Sequence, residues 1–146
     1  MTQFNTKIEI NSPIEQVYAA FVDWERAPLW RRGLTGVKLV GGVHGRPGSK
    51  QHFTCIKNGN PSTFDETIID MVVNEACYFR TDHECIYYLA NVIFCECDGG
   101  TRITCSVHIH GRRIFWHIVV LFMKGNLRRR QQADFVRFKT YLEKSR

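Results

Sequence analysis

Three groups of side chains in this 146-residue chain have the types and spacing that chemistry needs. Glu66 sits between Phe64 and Ile68, and a carboxyl on the apolar side of a strand would carry a raised pKa and act as an acid or base. The opposite parity of that strand, Thr67, Ile69, Met71 and Val73, is more apolar and is expected to face inward, which leaves Glu66 in water. His117 lies inside the most apolar segment, where it either hydrogen-bonds a ligand or is satisfied by backbone or a helical neighbour. The third group has metal-ligating types. Cys95-x-Cys97 has the wrong spacing for a zinc knuckle and no second pair, and Cys105 across a hairpin makes at best a third ligand, so these thiols read as small buried hydrophobes. His108-x-His110 puts two imidazoles on one strand face, but on the solvent side and with no partner carboxylate. There is no nucleophile elbow, no phosphate-cradling glycine loop and no His-Glu-x-x-His. No metal and no cofactor are expected, and the catalytic residues, if any, stay unassigned.

The elements that must position these groups follow from periodicity and punctuation. Phe4 to Ile10 alternates as a half-buried strand does. Asn11-Ser12-Pro13 offers a cap and a first-turn proline, with Glu15 as capping-box partner for Ser12, and opens a helix whose stripe is Ile14, Val17, Tyr18 and Phe21. A second short helical piece, Glu25 to Arg32, ends at Gly33. Six strands are then expected over 36–40, 49–57, 62–73, 76–84, 86–97 and 101–110. Turns rich in glycine, asparagine and aspartate divide them, among them Asn58-Gly59-Asn60-Pro61 and Asp98-Gly99-Gly100, so the sheet is a meander of hairpins. A three-residue loop at Asp98-Gly99-Gly100 would place Glu96 opposite Arg102, Cys95 opposite Ile103 and Ile93 opposite Cys105. Ile103, Cys105, Val107 and Ile109 would then point inward.

The remainder, Arg113 to Lys144, reads as one long helix in two unlike halves. Ile114 to Met123 is apolar nearly all the way round and is expected to be enclosed. The second half is amphipathic, with Leu127, Phe135, Phe138 and Leu142 near one stripe and basic residues over much of the rest. Gly125 in its interior costs about 1 kcal/mol relative to alanine. A bend is the favoured cause, with a stop and restart or a close contact as the alternatives.

Composition sets the bounds. Apolar residues make up 44% and aromatics 12%, ordinary for one globular domain over 1–146. Twenty Lys and Arg against fourteen Asp and Glu give a net charge of +6, much of it after Gly111. That bias can draw an anionic surface, though it is also what a solvated helix face carries. No secretory signal is visible, and the longest apolar run is about half a membrane span, so a cytoplasmic protein with reduced thiols and no transmembrane segment is expected.

Strand, two short helices, six-strand meander and long C-terminal helix resemble, in that order, the helix-grip fold of the SRPBCC superfamily (START, birch-pollen-allergen-like and polyketide cyclase proteins). The resemblance runs through residues 7–21, Asp23 followed by Trp30, residues 99–104, and Phe138 to Glu143. It implies an α+β fold in which a curved antiparallel sheet of about seven strands grips the last helix. It also implies an apolar cavity that binds lipids, polyketides or aromatic molecules.

A sheet curling round a helix cannot close along its whole length, which makes a cavity an expectation of the physics as well. The candidate lining is Trp30, Phe53, Cys55, Phe79, Ile93, Cys95, Cys105, Phe115, His117, Val119 and Phe122. The glycine-rich segment 41–48 is expected to flank its mouth. Binding or carriage of a hydrophobic small molecule is the leading functional expectation. A polyketide cyclase-like enzyme and an interaction module using the basic helix are the alternatives. Nucleic acid is not an expected partner, and either a monomer or a homodimer fits.

Overall fold

A computed structural model describes residues 2–57 and 59–144; Asn58, assigned above to a turn, lies outside the described residues. Strand β1 (Thr2–Ile10) leads into helix α1 (Ile14–Phe21) and a 3-10 turn (Trp24–Leu29). Strands β2 (Leu34–Gly41), β3 (Lys50–Lys57), β4 (Asn60–Val72), β5 (Ala76–Asp82), β6 (Ile86–Cys97) and β7 (Gly100–Gly111) follow, and helix α2 (Ile114–Lys144) closes the chain. All seven strands form one antiparallel sheet in the order β1-β7-β6-β5-β4-β3-β2. Six of them are the expected meander, and β1 joins by pairing with the last strand.

The start of α1 differs from the expected capping box. Pro13 holds the cap position at ψ 148° and no side chain caps the helix. The Ser12 carbonyl instead accepts the Thr101 hydroxyl at 2.8 Å, so this residue ties the helix entrance to β7. The second helical piece is a 3-10 turn that ends at Leu29, short of the expected Arg32 and Gly33, and it contains Pro28, whose ring cannot donate a backbone hydrogen bond.

Two register expectations are corrected. Cys97 pairs with Gly100, so the β6–β7 loop is the two residues Asp98 and Gly99, with φ of 35° and 82°. Left-handed backbone at both positions matches the right-handed twist of the strands, which the three-residue loop assumed above does not use. Glu96 therefore opposes Thr101, Cys95 opposes Arg102 and Phe94 opposes Ile103. Ala90, Val92 and Phe94 turn inward, whereas Ile93 and Cys95 are exposed on the outer face. On β7 the expected parity holds, with Ile103, Cys105, Val107 and Ile109 buried.

The other correction is on β4. Phe64, Glu66 and Ile68 are the inward residues, and Glu66 is only 2% exposed. Ile68 pairs with Phe79 and Asp70 with Tyr78, so Ile69 is the extra residue of a bulge. Beyond a bulge the alternation changes phase, and the apolar count along the strand no longer reports one face. Ile69, Val72 and Val73 are all exposed.

Helix α2 is anchored by its second half. Phe135, Phe138 and Leu142 are buried, and the Phe138 ring meets Trp30 at 4.6 Å and Phe21 at 5.9 Å. The first half is not enclosed, contrary to expectation. Val120 is buried, but Ile114, Phe115, Ile118, Leu121 and Phe122 are between 52% and 85% exposed. A helix lying on a sheet buries one stripe, so a run apolar on every side leaves the rest of its surface uncovered.

The helix is continuous through Gly125, which rules out a stop and restart. A Cβ built there would meet only the Arg129 guanidinium at 3.7 Å, which rules out a close contact as well. Gly125→Ala is therefore expected to stabilise the protein by about 1 kcal/mol, since alanine loses less backbone entropy in a helix. Thermal melts would show it, and lower stability would mean that the glycine has a conformational role.

Candidate functional site

A cavity of about 840 Å³ opens between the inner face of the sheet and α2. Its apolar wall comes from every layer: Phe4 of β1, Val107 and Ile109 of β7, Val92 of β6 and Phe79 of β5. Trp24 and Trp30 close one side, and Trp116, Met123, Leu127 and Phe135 of α2 form the roof. The exposed residues Pro61, Ser62, Thr63 and Glu84 lie at its rim. None of residues 41–48 lines it, so the glycine-rich segment is not at the mouth as expected.

A polar cluster is set into this wall. Arg31, just past the 3-10 turn, makes a paired contact with Glu66, Nη1 to Oε1 at 3.1 Å and Nη2 to Oε2 at 2.7 Å. The Thr81 hydroxyl donates to Glu66 Oε2 at 3.2 Å. The guanidinium also lies over the Phe53 and Phe64 rings, 5.0 and 5.8 Å from their centres. Burial alone would lower the Arg31 pKa, but the Glu66 carboxylate outweighs it and holds the group charged. Tyr88, opposite Thr81 on the next strand, is pushed up to about 12, chiefly by burial and then by the Glu66 charge, so its hydroxyl stays a donor. Asp134 of α2 lines the same space. Its Oδ1 accepts the Arg32 backbone N–H at 3.0 Å, and burial raises its pKa against the pull of that bond and of the neighbouring arginines.

Because the Asp134 carboxyl binds its proton more tightly folded than unfolded, it favours the fold below the unfolded value near 3.8 and loses that contribution as pH rises through its raised folded value. An asparagine side chain at this position would keep the oxygen that accepts the Arg32 N–H and remove the buried charge. Asp134→Asn is expected to melt higher than the wild type at pH 7, with the gap closing as pH falls towards 4 (about the unfolded value). A gap that does not change with pH would exclude this origin.

Two indole donors complete the inventory. Trp24 and Trp30 are 1% and 4% exposed, and neither Nε1 has a hydrogen-bond partner among the described residues. A buried N–H left unpaired costs free energy, and natural structures rarely leave one so.

Of the residues expected to line the cavity, Trp30, Cys55, Phe79 and Cys105 do. Phe53 is core, fully buried and stacked on Phe64 at 5.1 Å. Ile93 and Cys95 lie on the outer face through the register shift. Phe115, His117 and Phe122 are exposed, and half-buried Val119 is not part of the lining. Cys95 and Cys97 flank Glu96 on the outer side of β6, while Cys105 is buried inward, so the three sulfurs cannot converge on one ion. Burial pushes the Cys77 and Cys105 thiols up to about 12. One group of three potential ligands, Asp23, Glu25 and His44, does come within 4.8 Å among the described residues. It lies outside the cavity lining, and Asp23 is already paired with Arg26 at 3.3 Å.

Reading by residue type missed Arg31, Tyr88, Gln131 and Asp134. The last two were within reach, since they share the helical stripe of Leu127, Phe135 and Phe138. Arg31 was not, because a cation after a short helix has the same signature whether it folds in or out.

A seven-stranded antiparallel sheet wrapped on a long C-terminal helix, with a cavity between them, defines the helix-grip class. The chain belongs to the polyketide cyclase / dehydrase and lipid transport family, whose pattern matches residues 1–143. Among solved structures it is similar to the Zhui aromatase/cyclase from Streptomyces sp. R1128, with a TM-score of 0.81 at 10% identity over 97% of this chain and 93% of that one. It is similar also to a START superfamily protein from Mycobacterium smegmatis, at 0.80 and 11% over 99% of both chains. A third is Ara h 8.0201, at 0.79 and 17% over 98% of both. At such identities the likeness is one of fold. No curated protein matches the sequence, and no helix among the described residues is long and apolar enough to cross a membrane.

Proposed function

We propose that this protein binds and carries a hydrophobic small molecule bearing acceptor oxygens, such as an aromatic ketone or polyketide-like compound. The observation that carries the proposal is an apolar cavity of about 840 Å³ whose lining includes the polar side chains of Arg31, Tyr88 and Asp134. A pure hydrocarbon would lay apolar surface against these polar groups, whereas carbonyl or phenolic oxygens could hydrogen-bond to the Tyr88 hydroxyl.

Native mass spectrometry against a panel of aromatic ketones, hydroxylated polyketide-like aromatics and matched hydrocarbons tests this. Oxygenated compounds are expected to bind in a one-to-one complex and the hydrocarbons more weakly. Tyr88→Phe keeps the apolar ring but removes one donor. It is expected to weaken ketone binding by about fivefold, the worth of one hydrogen bond, and to leave hydrocarbon binding nearly unchanged. Failure of every compound to bind would sink the carrier reading.

A cyclase-like enzyme is the second reading, favoured by the convergence of Arg31, Glu66, Tyr88 and Asp134 on one cavity. Glu66 is poorly suited to be its base, since both carboxylate oxygens are engaged by Arg31 and Thr81. Asp134, with its raised pKa, is the better-placed carboxyl. Conversion of a bound compound that is lost in Asp134→Asn while binding persists would favour this reading.

A further inference from the structure

The first half of α2 has two faces with different tasks. Trp116 and Met123 turn towards the cavity. On the other side Ile114, Phe115, Ile118, Leu121 and Phe122 follow a helical spacing of three and four residues and form one exposed apolar stripe. Phe115 is 66% exposed and Phe122 85%, values far from those of core phenylalanines such as Phe135 at 3%. A contiguous exposed stripe of this kind marks a contact surface.

The charges around the stripe decide its occupant. From Arg112 to Ala133 the chain has no Asp or Glu, and it carries Arg112, Arg113, Lys124, Arg128, Arg129 and Arg130. Arg112 and Arg113 lie at one end of the stripe, and Lys124, Arg128 and Arg129 at the other; all five are exposed. Two copies meeting through this face by a two-fold axis would set basic ends together; Asp82, 2.8 Å from Arg112, offsets one of these charges, and the helix stretch itself carries no carboxylate to offset the others. A surface that is itself anionic and apolar beneath meets both requirements at once.

We infer that the first half of α2 is an interfacial element that seats the protein on an anionic lipid surface. The apolar stripe lies among the acyl chains near the headgroups, and the flanking arginines and lysine lie on the phosphates. Because the opposite face of the same turns roofs the cavity, the docked helix lies directly between the bilayer and the cavity contents. The inference holds whatever molecule the cavity takes.

Flotation of the full chain with phosphatidylcholine vesicles, with and without about 30 mol% phosphatidylglycerol, tests it. The protein is expected to float with the anionic vesicles at least roughly tenfold more strongly than with the neutral ones, and less as salt rises. The double variant Phe115→Ser, Phe122→Ser removes two exposed rings and should fold as the wild type does by circular dichroism. It is expected to lose at least roughly tenfold in vesicle binding. No binding to anionic vesicles, or binding that the double variant retains in full, would overturn the inference. So would a wild-type dimer in sedimentation that the double variant turns into a monomer, since the stripe would then belong to a second copy.

Discussion

Glu66→Gln is expected to destabilise the protein by about 3 kcal/mol, because it leaves a charged guanidinium in a site largely closed to water without the carboxylate that holds it there. The Arg31 side chain is 16% exposed and that of Glu66 2%. The two phenyl faces beside Arg31 supply weak compensation, and one uncharged oxygen from glutamine replaces two charged acceptors. The proof lies in the partner. Arg31→Met combined with Glu66→Leu removes both charges and keeps apolar volume, and it is expected to recover most of the loss. Paired urea titrations of the single and double variants would show whether it does. If the double variant is as unstable as Glu66→Gln, the penalty comes from packing and not from an orphaned charge. The double variant should also bind oxygenated probes more weakly, since Arg31 leaves the donor side of the cavity with it.

Gly111→Ala is the second large effect, and it acts on the junction between β7 and α2. A Cβ at this position would lie 2.5 Å from the His117 nitrogen and 2.6 Å from the Trp116 carbonyl carbon. These are backbone atoms of the first helical turn, so no side-chain rotation relieves the overlap and the turn itself must move. A loss of about 2–3 kcal/mol is expected, the usual cost of forcing an extra methyl into a filled space. Trp116 roofs the cavity, so probe affinity should fall together with the melting temperature. An unchanged melt would mean that the start of α2 is loosely seated on the sheet. The contrast with Gly125→Ala is useful, because the same substitution inside α2 itself is expected to act with the opposite sign.

Element order and type could be read from the chain because several local signals agreed. Pro13 marked the start of α1, glycine- and asparagine-rich turns divided the strands, and Phe135, Phe138 and Leu142 kept a helical period. The face of each residue was legible only where alternation was unbroken, as along β7. On β4 a single extra residue, Ile69, changed the phase and hid Glu66. At Asp98-Gly99 a one-residue difference in loop length sent Ile93 and Cys95 to the other side of the sheet. For α2 the error was one of inference from composition: Ile114 to Met123 had the content of a buried helix, but the sheet covers only one of its sides. The polar half of the site was the least legible, since Arg31 and Glu66 come together from positions 35 apart through the fold alone.

The pairing of β1 with β7 bears on how the chain reaches this fold. Strands β2 to β7 each meet a neighbour in sequence, so hairpins can form as soon as their two strands exist. Thr2 pairs with Ile109 and Ile10 with Thr101, so β1 has no partner until β7 exists. Closing so long a loop is entropically slow. During synthesis the first strand would therefore emerge early and stay unpaired, while the meander assembles on the far side of the sheet. Adding β1 also brings Thr6 to Gln131 of α2, so strand docking and helix docking should complete in one late, shared kinetic step.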